Sequence, residues 1–236
     1  MGSMRTGNRA TAAPVVRYLP AVLLLCVARL AVGAPFQNGS FELGPTQPVC
    51  NIYNIPVGDN TTITGWTVIV GNIDWEGPPG CGWVASDGNN SVDLVGDDYK
   101  GGVEQTFDTR PGVTYRVAFD LAGNYGALPV VKPLTVSVAG DVHEFSFDTT
   151  GATGSDMRWV TETFTFVATS STATIQFVSD TTGLGGIGNA GAAIDNVRIG
   201  PTFAAGAPAL GVPGLLLAAA ALLALGVIPL RRKRKP

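Results

Sequence analysis

Between residues 36 and 200 apolar and polar side chains alternate again and again with a period of two, and this pattern decides the fold class. In Thr114–Asn124 (TYRVAFDLAGN) one face carries Tyr115, Val117, Phe119 and Leu121. The same face is made by Leu134, Val136 and Val138 in LTVSVAG, by Phe145 and Phe147 in HEFSFD, and by Phe164 and Phe166 in ETFTFVA. Ala173, Ile175 and Phe177 repeat it in ATIQFVS. Successive side chains of a strand point to opposite faces, so the pattern predicts antiparallel strands with one buried and one solvated side. Pro111-Gly112, Gly140-Asp141 and Gly151–Gly154 supply turns between them. No helix-forming run intervenes. The expectation is an all-β sandwich of jelly-roll type, one domain over 35–200 without internal repeats.

Charge divides the chain in three. Residues 1–34 carry four arginines and no acid, and residues 231–235 read RRKRK. All 18 carboxylates lie between Glu42 and Asp195 with only six basic residues, a net of −12 for the body. Phosphate would repel such a body, so nucleic acid is excluded as a partner. Arginines, the apolar run Tyr18–Ala28 and small residues at Ala31–Ala34 form the layout of a secretory signal peptide over 1–34. Val212–Leu230 is 19 residues without a charge. As a helix it would reach about 28 Å, enough to cross the hydrocarbon of a bilayer. The basic tail 231–236 would then stay in the cytoplasm and the body outside. The spacer 201–211, the spanning segment and the basic tail together resemble PEP-CTERM-type sorting signals, which a membrane protease recognises. The Pro-Glu-Pro motif itself is absent, so retention as an anchor and removal by that protease both stay open.

Cys50 and Cys81 remain once the signal is removed, and in an exported chain such a pair most simply forms a disulfide. Closing a loop of that length would stabilise the fold by about 3–4 kcal/mol.

Six blocks in order carry a family resemblance: NGSFELG (38–44), ITGWTVIVGNIDW (63–75), ASDGNNSVDLVG (85–96), GGVEQTFDTRPGVTYRVAFDLAGN (101–124), MRWVTETFTFVA (157–168) and GAAIDNVRI (191–199). They resemble the bacterial choice-of-anchor C domain, which is similar to plant cell-wall proteins of domain-of-unknown-function family 642. The resemblance implies a galactose-binding-like jelly roll; the plant members are associated with wall polysaccharide, and for bacterial members the resemblance supplies no ligand. NGSFE and AIDNV also resemble the end strands of glycan-binding modules in which the matching carboxylates hold a structural Ca²⁺. Carried over, these are Glu42 and Asp195, and carbonyls and waters would have to complete the six to eight oxygens the ion takes.

Sugars stack their C–H faces on aromatic rings and bind their hydroxyls to amides and carboxylates. Trp75 and Trp83, with Asp74, Glu76 and Asn89, form the expected glycan surface, and Tyr125 after Asn124 a second candidate. Trp66 and Trp159 read as core. An enzyme is not expected. The single histidine, His143, reads as a surface residue on the polar side of a strand. GLGGIG at 183–188 is followed by a strand pattern rather than the helix a dinucleotide site needs. Acid pairs such as Asp74/Glu76 arise by chance among so many carboxylates. The sequence therefore points to a non-catalytic, exported carbohydrate-binding domain. The alternative is a structural or protein-binding surface domain.

Overall fold

The computed structural model of the chain describes residues 34–48, 52–77, 82–185 and 188–202. The expected signal peptide up to residue 33, both cysteines of the expected disulfide, the spacer beyond Thr202, the membrane segment 212–230 and the basic tail lie outside the described residues.

Ten strands follow one another: β1 (Ile52–Pro56), β2 (Thr67–Glu76), β3 (Ser91–Asp93), β4 (Lys100–Asp108), β5 (Thr114–Gly123), β6 (Val131–Val138), β7 (Asp141–Asp148), β8 (Val160–Val167), β9 (Thr172–Asp180) and β10 (Ala192–Pro201). The face residues of each alternating segment lie within one of them, and no helix occurs among the described residues. All pairings are antiparallel. Strands β1, β2, β3, β10, β5 and β8 make one sheet, here sheet A. Strands β2, β4, β9, β6 and β7 make the other, sheet B.

Strand β2 belongs to both sheets. Its first half pairs with β4, and its second half, Asn72–Glu76, pairs with β1 and β3. The register shifts between Val68 and Val70. The buried residues accordingly change from even positions (Trp66, Val68) to odd ones (Ile73, Trp75), as an inserted residue requires in a period-two element. Gly71 sits at the change with φ +55°, and a Cβ there would lie 1.8 Å from the Lys100 carbonyl oxygen. Only glycine meets both demands.

Between the sheets lies one aromatic and aliphatic core. Phe119 has its ring 5.3 Å from both Phe145 and Phe177, near edge-to-face. Trp66 meets Phe177 at 6.1 Å and Phe41 at 5.0 Å. Such pairs add about 0.5–1.5 kcal/mol each to the burial itself.

His143 departs from the sequence expectation. It shares the inward parity of Phe145 and Phe147, and its ring stacks on Phe164 at 4.0 Å. Edge strands β7 and β8 thus close their end of the sandwich with aromatic side chains from both sheets. Trp66 is buried as expected, while Trp159 is half-buried against the core and donates its indole N–H to the Val84 carbonyl.

Phe119 is fully enclosed, so Phe119→Ala leaves a cavity at the centre of the core. A loss of about 3–5 kcal/mol is expected in urea unfolding. A loss below about 1 kcal/mol would show that the two sheets collapse onto each other freely.

Candidate functional site

The outward side of sheet A carries a polar row set by strand register. Asn54 faces Asp74, Asp74 faces Asp93, and Asp93 faces Ala193. A second row holds Ile52, Glu76 and Ser91, continued by Asp195, Asp120 and Thr161. Two loops lie over this second row. The Trp83 indole N–H donates to Ser91 Oγ at 2.8 Å, Ser86 Oγ donates to Asp120, and the Val84 amide donates to the Gly154 carbonyl. Glu76, Ser91 and Asp195 are buried in consequence.

The first row stays accessible at one end. Asn54 Nδ2 donates to Asp74 Oδ1 at 2.9 Å. Asn72, one step along β2 on the same face, has a buried Oδ1 with no hydrogen bond among the described residues. The three side chains close around Gly96, where a Cβ would lie 2.4 Å from Asn54 Nδ2, 2.9 Å from Asn72 Oδ1 and 3.0 Å from Asp74 Oδ1. Deeper in the row, Asp93 accepts from the amides of Val95 and Gly191 and from Asn124 Nδ2. Tyr125, next in the chain, is exposed at the rim, with its hydroxyl 2.8 Å from the point a Gly154 Cβ would occupy. Lys132 is wholly buried and donates to the carbonyls of Ala127 and Ala190, tying two loops together below the row.

Electrostatics follow from this crowding. Burial, with Asp93 and Asp74 adding repulsion, pushes the Glu76 carboxyl up to about 8. Burial also raises Asp93 to about 7 against the three donors that hold its charge. Asp74 is raised by burial, opposed by Asn54 and reinforced by Asp97. Lys132 is lowered by burial to about 8, with Asp93 acting against the shift. Burial thus favours the protonated forms of these acids, Glu76 above all. They can donate as well as accept hydrogen bonds.

The expected site residues separate into three groups. Asp74 and Glu76 lie on this face, and Tyr125 stands at its rim. Asn89 lies apart on the exposed 86–90 loop, where its amide donates to Glu42. Trp75 and Trp83 correct the expectation: both are core side chains, 0 % and 4 % exposed, and neither has a ring face open to a sugar. Trp75 lies on the inward side of β2, and its indole N–H donates to the Phe41 carbonyl at 3.0 Å. Asn54, Asn72 and Asp93 escaped sequence reasoning. Asn72 alternates with Asp74 and Glu76, which is a visible signal, but only register joins them to Asn54 and Asp93.

Glu42 and Asp195 are both engaged by the 86–90 loop. Glu42 Oε1 accepts the amides of Asn89 and Asn90 at 2.8 and 2.7 Å. Asp195 Oδ2 accepts the Ser86 amide, the Ser86 hydroxyl and the Asp87 amide, and its Oδ1 accepts the Asn196 amide. Burial raises Asp195 to about 7, with these donors opposing. A Ca²⁺ ion needs oxygens turned toward it, whereas four loop N–H groups point at these carboxylates. The residues present do not fit the expected ion.

The class defined by these features is an antiparallel β-sandwich with a polar face on one sheet. A family model described as a protein of unknown function, DUF642, matches residues 34–200, and the chain belongs to that family. It is also similar to halomucin of Haloquadratum walsbyi, 29% identical over 198 residues. That match takes in 80% of this chain and spans only 2% of halomucin. Among solved structures, TmCBM61 in complex with β-1,4-galactotriose is 19% identical with a TM-score of 0.42, covering 72% of this chain and 99% of its own. A family 35 carbohydrate-binding module from Clostridium thermocellum is 14% identical with a TM-score of 0.40, covering 63% and 97%.

The raised carboxyls make stability depend on pH. From about pH 4.5 to about 8 the unfolded chain releases the Glu76 proton that the folded chain keeps. Folding thus loses stability as pH rises through that window and levels off above it. The Tm is expected to fall between pH 5 and pH 8, with a shallower slope in Glu76→Gln. Equal slopes for the two proteins would show that Glu76 ionises freely in the fold.

Proposed function

We propose that this domain is a non-catalytic carbohydrate-binding module, and that the glycan lies on the outward face of sheet A. The observation that carries the reading is the amide–carboxyl trio Asn54, Asn72 and Asp74, fixed by register and open to solvent at one end, with the exposed Tyr125 ring at the rim of the same face. Planar amides and carboxyls bind vicinal hydroxyls in pairs, and a tyrosine ring offers an apolar surface to sugar C–H groups. Burial favours the protonated form of the acids beside the trio, and Arg198, a cation on this side of sheet A, stands 4.0 Å from Asp120 in the second row rather than at the trio. Neutral sugars suit it better than uronic acids, and the −12 charge of the body acts in the same direction.

Hydrolysis is not part of the proposal. Two working carboxylates about 5–10 Å apart must both reach the glycosidic bond. Asp93 is fully enclosed and committed to three donors, and Glu76 is buried under the 82–90 loop. Of these three that leaves Asp74, whose acidic neighbour Asp97 lies in the exposed bend before β4 and not in the strand rows.

Within its family the chain is read as the choice-of-anchor C type with a galactose-binding-like fold. It is exported through residues 1–34 and held at the surface by 212–230, unless a sorting protease removes that segment. The layout of the two ends supports this part of the reading, as does a body that concentrates every carboxylate between them.

A glycan array probed with the full-length chain in detergent tests the function. Retention of a neutral polysaccharide is expected, and Asn54→Ala and Asp74→Ala should each weaken it about tenfold, the worth of one or two lost hydrogen bonds. Tyr125→Ala should weaken it by a similar factor. Failure to retain any glycan would return the domain to the protein-binding alternative. Retention untouched by all three substitutions would move the site off this face.

A further inference from the structure

We propose that Glu42 and Asp195 form a calcium-free latch: a pair of carboxylates that hold the 86–90 loop through its own backbone amides, in the place where the resemblance puts a metal ion. The inference does not depend on glycan binding.

The latch joins three distant parts of the chain. Glu42 follows the opening NGSF, Asp195 lies in the last strand, and the loop they grip is 47 residues from the first and 109 from the second. Local backbone geometry aims both carboxylates. Phe41, just before Glu42, has φ +57°, and Asn196, just after Asp195, has φ +50°. β10 bulges between Asp195 and Arg198. A bulge re-aims a side chain that the regular ladder would point elsewhere. The two motifs also touch, because the Val197 amide donates to the Gly39 carbonyl at 2.8 Å.

Each grip is a small nest of donors. Asn89 and Asn90 offer adjacent amides to one Glu42 oxygen, and Ser86 and Asp87 offer adjacent amides to one Asp195 oxygen. Successive N–H groups turned the same way bind anions, and here the protein supplies the anion itself. The same polarity repels a cation. On the Oε1 side of Glu42 the loop itself fills the space, since a Cβ on Gly88 would lie 2.5 Å from that oxygen. Gly88 adopts φ +76° there, so the loop packs directly against the carboxylate. Five hydrogen bonds from the loop, four of them from backbone amides, give the latch its hold without metal.

Hydrogen exchange and melting of the full-length chain in detergent, with EGTA or with millimolar CaCl₂, test the proposal. In EGTA the amides of Ser86, Asp87, Asn89 and Asn90 should remain protected, and neither addition should move the Tm. Glu42→Ala should lower the Tm by roughly 5–10 °C and expose only Asn89 and Asn90. Glu42→Gln keeps an acceptor oxygen and should recover about half of that loss, equally in EGTA and in CaCl₂. The proposal is overturned if EGTA lowers the Tm by more than about 5 °C and strips protection from the four amides. It is equally overturned if the glutamine variant is no better than alanine. Should Glu42→Ala fail to fold, the EGTA comparison on the unaltered chain decides the matter alone.

Discussion

The sandwich depends on one strand serving two sheets. Because β2 hydrogen-bonds to β4 over its first half and to β1 and β3 over its second, the sheets cannot slide past each other without breaking main-chain bonds. The price of that sharing is a change of parity at Gly71, enforced by the Lys100 carbonyl that leaves no room for a Cβ. Everything downstream follows from the new parity. Ile73 and Trp75 turn into the core, and Asn72, Asp74 and Glu76 turn outward together. A strand without the shift would have reversed the two sets.

Outward placement does not leave these acids in water. The 82–90 loop folds over sheet A and anchors itself on its side chains, and the Gly154 carbonyl of the 149–158 loop accepts the Val84 amide. Ser91, Asp120 and Asp195 receive the loop donors, while Glu76 is covered without a hydrogen-bond partner among the described residues. The same carboxylates therefore do two kinds of work. Asp195 and Asp93 hold backbone through their donors even as burial raises them to about 7, while Glu76, without such donors, is pushed furthest, to about 8. An acidic composition thus yields a face that is much less charged than its residue count suggests.

Much of the fold was legible because burial and strand geometry share the period of two. The faces read from Tyr115–Leu121, Leu134–Val138 and Ala173–Phe177 are the buried faces of β5, β6 and β9. His143 belonged to the same arithmetic, being two residues from Phe145, and was misread because residue type was given more weight than position. The candidate site was legible only in part. Asp74, Glu76 and Tyr125 were visible as polar or aromatic groups near turns. Trp75 and Trp83 were misplaced because a tryptophan beside glycines and prolines looks the same whether its ring points in or out.

By itself, the sequence determined an all-β sandwich, its strand faces, its family and the division of charge along the chain, since each of these is written in local period or composition. Tertiary structure alone decided which strand sits beside which, and therefore that Asn54, Asp74 and Asp93 form one row although 20 residues separate the first two. It alone decided that Glu42 and Asp195 meet the amides of one loop. Register and loop closure are long-range matters: they depend on which main-chain groups find each other, and side-chain identity along one segment carries no record of that choice.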